Sequence, residues 1–247
     1  MSFTGVGGEQ IWICPTLDNT NPFDDLSGNG NNGTATGGVT TVADTGSGGS
    51  FAFDIDVKTK GVSLPNDYID GLTEYSMSVW VKLTTSPTAT GNILGAYTSA
   101  NSNANPSFLT LSAGRLFEYG ITDSGSTVGN QIENPVTTNV WKNLILTYKE
   151  GTGLFVYEDG VQVGSDPPQF LFTGASALNF SIGKGQANGS ISLVDDARVF
   201  HHELSQSDIT LLASTRGYTS GGPPPADPFY NPFINKRFNP NYNRRIG

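Results

Sequence analysis

The chain runs to 247 residues, with 31 glycines, 14 prolines and only 14% charged residues. That length suits one all-β domain, with a core that needs neither disulfides nor a metal to hold it. Its single cysteine excludes an intrachain disulfide framework, and no stretch approaches the roughly 18 apolar residues of a membrane span. The formal net charge of −9 hides an asymmetry: Gly221–Gly247 sets Asp227 against Lys236, Arg237, Arg244 and Arg245, a net of +3 that leaves −12 on the rest. An acidic body repels nucleic acid and anionic bilayers, so neither is an expected partner.

Met1–Pro15 has no basic start before an apolar stretch, which predicts no signal peptide and synthesis in a cytoplasm. Within it, Glu9–Cys14 reads as a first strand, with Cys14 as a small buried hydrophobe. Phe23–Gly38 is dense in Asn and Gly and reads as a loop. The stretches SFAFDID and KGVSLP predict two short strands. In Ser76–Leu83, Met77, Val79 and Val81 alternate with Ser78, Trp80 and Lys82, the period of a strand with one face in a core. NILGAY, SFLTLS and RLFEYGI continue the strand rhythm, and Val140–Ser165 holds two or three more. Within that last stretch Asp159-Gly160 predicts a type I′ hairpin turn. LNFSIGK and ISLVDDARVFH close the strand series. One helix is predicted at Ser205–Ala213, capped by Ser205 with Asp208 three residues on. Short strands, one late helix and no alternation of strands with helices predict an all-β sandwich or jelly roll over residues 1–216. A Gly/Pro-rich linker and an extended arm follow at residues 217–247.

Four motifs, in order, carry a resemblance. They are the Asp25–Thr34 loop DLSGNGNNGT, the tryptophan strand SMSVWVKL, the stretch VWKNLILTYKEGTGLFVYEDGVQVGS, and the closing block Gly189–Leu212. Together they resemble the concanavalin A-like, laminin-G-like jelly roll over roughly residues 9–214. Glucanases of that fold place paired acids on one strand as Glu-x-Asp-x-x-Glu. No such motif is present, and Asp54 and Asp56 read as a strand end, so no catalytic residue is expected. The resemblance implies a structural Ca²⁺ held by Asp195 of the closing strand and by carbonyls of an early loop, with Asp25, and more weakly Asp24, as further candidates. The alternative is that Asp195 caps backbone N–H groups or pairs with an arginine, and that Asp25 fixes its own loop. His201 and His202 point to opposite faces and read as ordinary packing or surface residues. Trp12, Trp80 and Trp141 read as core. A sugar site would use the Ser/Asn/Gly-rich segments Tyr97–Asn105 and Asp123–Asn130.

The arm poses its own question, because Phe229, Tyr230, Phe233, Phe238 and Tyr242 recur every few residues among prolines, and Arg244 and Arg245 follow. Disordered tails are poor in aromatics, so this composition reads as a docking segment. Surface proteins of bacterial viruses carry a jelly roll followed by such a tail. That second resemblance implies a non-enzymatic virion structural protein, with capsid decoration ahead of tail or fibre. It would be displayed on the virion surface and joined by its arm to copies of itself, a trimer by preference, or to a capsid or tail protein. The alternative reading is a carbohydrate-binding, lectin-like adhesion module.

Overall fold

The computed structural model describes residues 5–55, 59–66, 69, 71–85, 91–97, 103–110, 115–123, 126–135, 137–166, 179–183 and 192–219. In chain order the strands are β1 (Glu9–Ile13), β2 (Thr34–Thr36), β3 (Thr40–Ala43), β4 (Phe51–Ile55), β5 (Gly61–Leu64), β6 (Glu74–Leu83), β7 (Gly91–Tyr97) and β8 (Asn103–Thr110). They continue as β9 (Arg115–Asp123), β10 (Ser126–Pro135), β11 (Trp141–Lys149), β12 (Gly153–Glu158), β13 (Val161–Asp166), β14 (Asn179–Gly183) and β15 (Ser192–Phe200). A single helix, α1 (Gln206–Ser214), follows β15.

Two antiparallel sheets form the sandwich. The eight-stranded sheet runs β13-β12-β11-β6-β15-β4-β3, with β1 also on β15. The seven-stranded sheet runs β10-β9-β8-β7-β14-β5-β2. Alternation in β6 does what its sequence predicts. Tyr75, Met77, Val79, Val81 and Leu83 face inward, where they meet Ile11, Ile13, Phe53, Leu144, Leu146 and Val194 of their own sheet and Val62, Leu94, Phe180 and Ile182 of the other. Burial of this core is the main favourable term for a chain with so little charge.

The outer face of the eight-stranded sheet is also covered. Helix α1 seats Ile209 and Leu212 on Ile145, Tyr157 and Phe200. Ser205 caps it, accepting from Asp208 N while the Asp208 carboxylate accepts from Ser205 N. Beside the helix, Ala52, Trp80, Trp141 and Leu193 form a second outer cluster. The three tryptophans are therefore buried as expected, but on this covered outer face. Each has a partner for its indole N–H: Trp12 donates to Asp196 Oδ1 (2.7 Å), Trp80 to Leu212 O (3.2 Å) and Trp141 to Asp44 Oδ1 (2.8 Å).

The hairpin at Asp159-Gly160 has φ of 51° and 81°, as a type I′ turn requires. Asp159 also folds back on β11, accepting from Asn143 N at 2.9 Å. Three strands lie where the sequence shows no apolar alternation. β2 falls inside the segment read as a loop at Phe23–Gly38, and β3 is a short edge strand of Thr, Val and Ala. β10 corrects the reading of Asp123–Asn130 as a rim loop. Ser126 pairs directly with Asp123, and residues 126–130 belong to β10.

Candidate functional site

The conspicuous chemistry of the body sits on the outer face, where β15 is broken by a bulge. Between Asp195, opposite Trp80, and Arg198, opposite Ser78, the register slips, and Asp196 takes a φ of 49°. Aspartate tolerates that left-handed conformation better than most residues. The extra residue shifts the phase of the strand, so Val194 and Val199 both face the core although they are five positions apart. It also lets two consecutive carboxylates serve the same side. The strand β1 pairs with the second half of β15 and β4 with the first, so the bulge lies where these two neighbours meet.

Asp196 and Arg198 form one half of the network. Arg198 Nε and Nη2 donate to the two Asp196 oxygens at 2.8 and 2.9 Å, a bidentate pair with both side chains shielded from solvent. Arg198 also reaches Glu9 Oε1 at 3.2 Å and Tyr218 O at 2.6 Å, and its guanidinium lies 4.0 Å from the Trp12 ring. Asp196 accepts in addition from Gly217 N at 3.0 Å. Burial works against the Arg198 charge, yet Asp196 outweighs it and holds the guanidinium above its usual value.

Asp195 and Arg216 form the other half. Asp195 accepts from Thr16 Oγ1 at 2.5 Å and lies 3.5 Å from Arg216 Nε. Both side chains are fully buried. Arg216 stacks 3.9 Å from the Trp141 ring, donates to Phe51 O at 3.2 Å and donates to Asp44 O. Its backbone N–H bonds Ser47 O at 3.0 Å in the tight turn Gly46–Gly48. A side chain at Gly49 would occupy the space of the guanidinium. Burial pushes the Asp195 carboxyl up to about 6, and the adjoining Asp196 charge adds to the rise. For Asp44, burial is outweighed by Lys82, Trp141 and Gly46 N, which bring its carboxyl down to about 2.

The two residues expected to hold calcium are engaged elsewhere. Asp25 Oδ1 accepts from Trp12 N and Ser27 N, and Oδ2 from Asn31 N and Ser27 Oγ, at 2.8–3.0 Å. That pattern, with Asn31 Nδ2 on Gln10 O at 2.8 Å, staples the loop to β1. Asp24 accepts weakly from Asn32 at 3.4 Å. Asp195 shares no donor with either and faces a guanidinium. Among the described residues no three His, Cys, Asp or Glu side chains are grouped to hold a metal, so the surroundings of Asp195 do not fit a bound calcium ion. Cys14 is buried, and burial pushes its thiol well above the usual range. The docking residues Phe229, Tyr230, Phe233, Phe238, Tyr242, Arg244 and Arg245 lie outside the described residues, as do Asp56 and positions 98–102 of the Tyr97–Asn105 segment. Sequence reading weighed an arginine partner for Asp195 but did not find Arg216, and it left Asp44, Thr16 and Glu9 unassigned. The parity of Val194 and Val199 is the signal that reveals the bulge.

The raised Asp195 carboxyl has a defined consequence for stability. The native carboxyl takes its proton near pH 6 and the unfolded one near 3.8, so falling pH favours the native state over that window. Relative to Asp195→Asn, the unaltered protein gains stability as pH falls from about 6 to about 4. Urea unfolding at stepped pH measures this, and parallel profiles for the two proteins would contradict it.

Comparison with known proteins agrees with the fold. The family model described as the concanavalin A-like lectin/glucanases superfamily matches residues 56–210, more than half of the chain. No match is found among curated proteins. Among solved structures, the binding domain of Paraclostridial Mosquitocidal Protein 1 superposes with a TM-score of 0.67 at 14% identity, over 83% of this chain and 52% of that one. The binding domain of botulinum neurotoxin DC in complex with SialylT gives 0.65 at 16%, over 83% and 50%. Domain 4 of AbnA, a GH43 extracellular arabinanase from Geobacillus stearothermophilus, in complex with arabinotriose, gives 0.58 at 20%, over 83% and 99%. This chain thus spans about half the length of the toxin binding domains and nearly all of the arabinanase domain. With a jelly roll of two antiparallel sheets and a family match across its centre, the chain belongs to the concanavalin A-like lectin/glucanases superfamily.

Proposed function

We propose that this protein is a non-catalytic, carbohydrate-binding jelly-roll module. The observation that carries the reading is the β7–β10 meander. Tyr97 pairs with Asn103, and Asp123 with Ser126, so the β7–β8 and β9–β10 connections leave from one end of the seven-stranded sheet. The first is Thr-Ser-Ala-Asn-Ser and the second Ser-Gly, small and polar residues suited to shallow hydrogen bonding with sugar hydroxyls. The fate of the acids supports binding over hydrolysis. Glu9, Asp195 and Asp196 are taken up by internal donors, whereas a glycosidase needs two carboxyls about 5–9.5 Å apart across an open cleft. The arabinanase domain with arabinotriose and the toxin domain with SialylT add support by likeness of fold.

The test is a glycan array on the full chain, followed by titration calorimetry on hits, with arabinotriose and a sialylated trisaccharide as first probes. Replacing Ser99, Asn101, Asn103 and Ser124 by alanine is expected to weaken binding at least about 10-fold, the loss of one or two hydrogen bonds, and to leave the fold unchanged. An array with no hits removes the reading.

A second reading places this module on a virion surface, as a capsid decoration or other structural protein joined to its neighbours by residues 217–247. Its support is the aromatic and basic composition of that arm, together with the way the arm's root is held. Thr215–Tyr218 is tied to the body through Ser47, Phe51, Asp196 and Arg198. On this reading Thr215–Tyr218 is where the clasp joins the body, and the aromatic residues beyond it supply the anchors. Light scattering on the full chain and on a chain lacking Pro223–Gly247 is expected to give a trimer that falls to a monomer. Equal masses for the two would remove the clasp between copies.

A further inference from the structure

The floor beneath helix α1 is only partly apolar. Asn143, Ile145 and Thr147 are alternate residues of β11 and share its outer face. Ile145 belongs to the cluster that receives Ile209 and Leu212 of the helix. Its two neighbours on that face are polar, yet Asn143 is 0% and Thr147 1% exposed. On β6, Ser78 lies opposite Ile145, and Trp80 lies opposite Asn143. Asn143 Nδ2 donates to Ser78 Oγ over a long 3.3 Å. Asn143 Oδ1 and Thr147 Oγ1 have no hydrogen-bond partner among the described residues. A buried polar atom without a partner keeps its full cost of desolvation, and contact with water removes that cost once the cover lifts.

The cover is a short span fixed at both ends. Before the helix, Leu204 N donates to Ser76 Oγ at 3.0 Å. After it, Arg216 N donates to Ser47 O, Gly217 N to Asp196 Oδ2, and Arg198 Nη2 to Tyr218 O. Between these anchors α1 has nine residues, fewer than the roughly 12–15 that an isolated helix needs. Ser205 and Asp208 cap its start, but its last turn has no basic side chain and Thr215 is extended, so no left-handed cap closes its end. Of the nine residues only Ile209 and Leu212 are buried. Two hydrogen bonds add to their hold, Trp80 Nε1 to Leu212 O and Gln206 Nε2 to Gly160 O, both at 3.2 Å. We propose that α1 is a lid that opens by melting locally between its two anchors, while the sandwich and the seam on β15 stay folded. Opening wets Asn143 and Thr147 and uncovers Ile145, Tyr157 and Phe200, so a surface apolar at its centre and polar beside it reaches solvent only in the open state. The anchors return the segment to the same place when it closes. The polar floor sets the balance, because a fully apolar floor would hold the helix shut.

Native-state hydrogen exchange on the full chain, at neutral pH in water and in low urea, reads the opening directly. Amides of α1 from Ile209 to Ser214 are expected to exchange at least about 100-fold faster than those of β6 and β11, with little dependence on urea, because a local opening exposes little surface. Ser78→Ala combined with Asn143→Leu removes the unpaired oxygen and both ends of the long bond, and is expected to slow α1 exchange about 5–100-fold. Thr147→Val gives the same reading on the other unpaired group and is the variant to use if the pair does not fold. Amides of α1 as protected as those of β6 and β11, released only when the whole domain unfolds, would overturn the proposal. So would a folded variant of either kind in which α1 exchanges as fast as before or faster.

Discussion

A pair of adjacent carboxylates under the covering layer of a sandwich is an arrangement that a fold must neutralise or abandon. Each buried charge costs several kcal/mol to desolvate, and two side by side repel as well. Here one bulge at Asp196 gathers what neutralises them. Arg198 comes from the same strand, Glu9 and Trp12 from the first strand, and Arg216 and Gly217 from the segment after the helix. Both ends of the described body therefore meet at one point on β15. The inner core fixes the two sheets, but it is this polar seam on the outer face that fixes β1 and the C-terminal strap against them.

The consequence for function is a division of labour between faces. Helix α1 and the strap close the outer face of the eight-stranded sheet, and the buried acids there are bonded internally. On the proposed function, ligand binding belongs to the other sheet, the seven-stranded one, away from the seam. A module of this kind binds through polar loops on a rigid scaffold, a common arrangement for recognition on β-sandwiches. The same seam also holds Thr215–Tyr218, the last described stretch after α1, against β15 and the Gly46–Gly48 turn.

Much of this was legible in the sequence, for identifiable reasons. The alternation in β6, the Asp159-Gly160 turn and the Ser205–Asp208 cap are local signals, complete within four to ten residues. β10 escaped because STVGNQIENP offers few apolar residues in alternation, and β2 and β3 because edge strands of three and four residues have too little burial to leave a pattern. Asp195 was singled out by resemblance, and its arginine partner was an open alternative. Which arginine it was could not be read. Arg216 lies beyond a whole helix, and long-range pairing leaves no spacing to recognise. The tryptophans were assigned to the core on their strand patterns and their size, and the indole N–H of each finds an acceptor on the covered outer face.

The seam at Asp196 holds the two ends of the body, and its guanidinium is the group to remove. Equilibrium denaturation of Arg198→Met tests it most directly, since methionine keeps the length of the side chain and removes the charge. The expected loss is about 3–5 kcal/mol, because Asp196 and Glu9 are left buried without their counter-ion. A variant as stable as the unaltered protein would contradict it, and would mean that the sandwich core alone holds the body together.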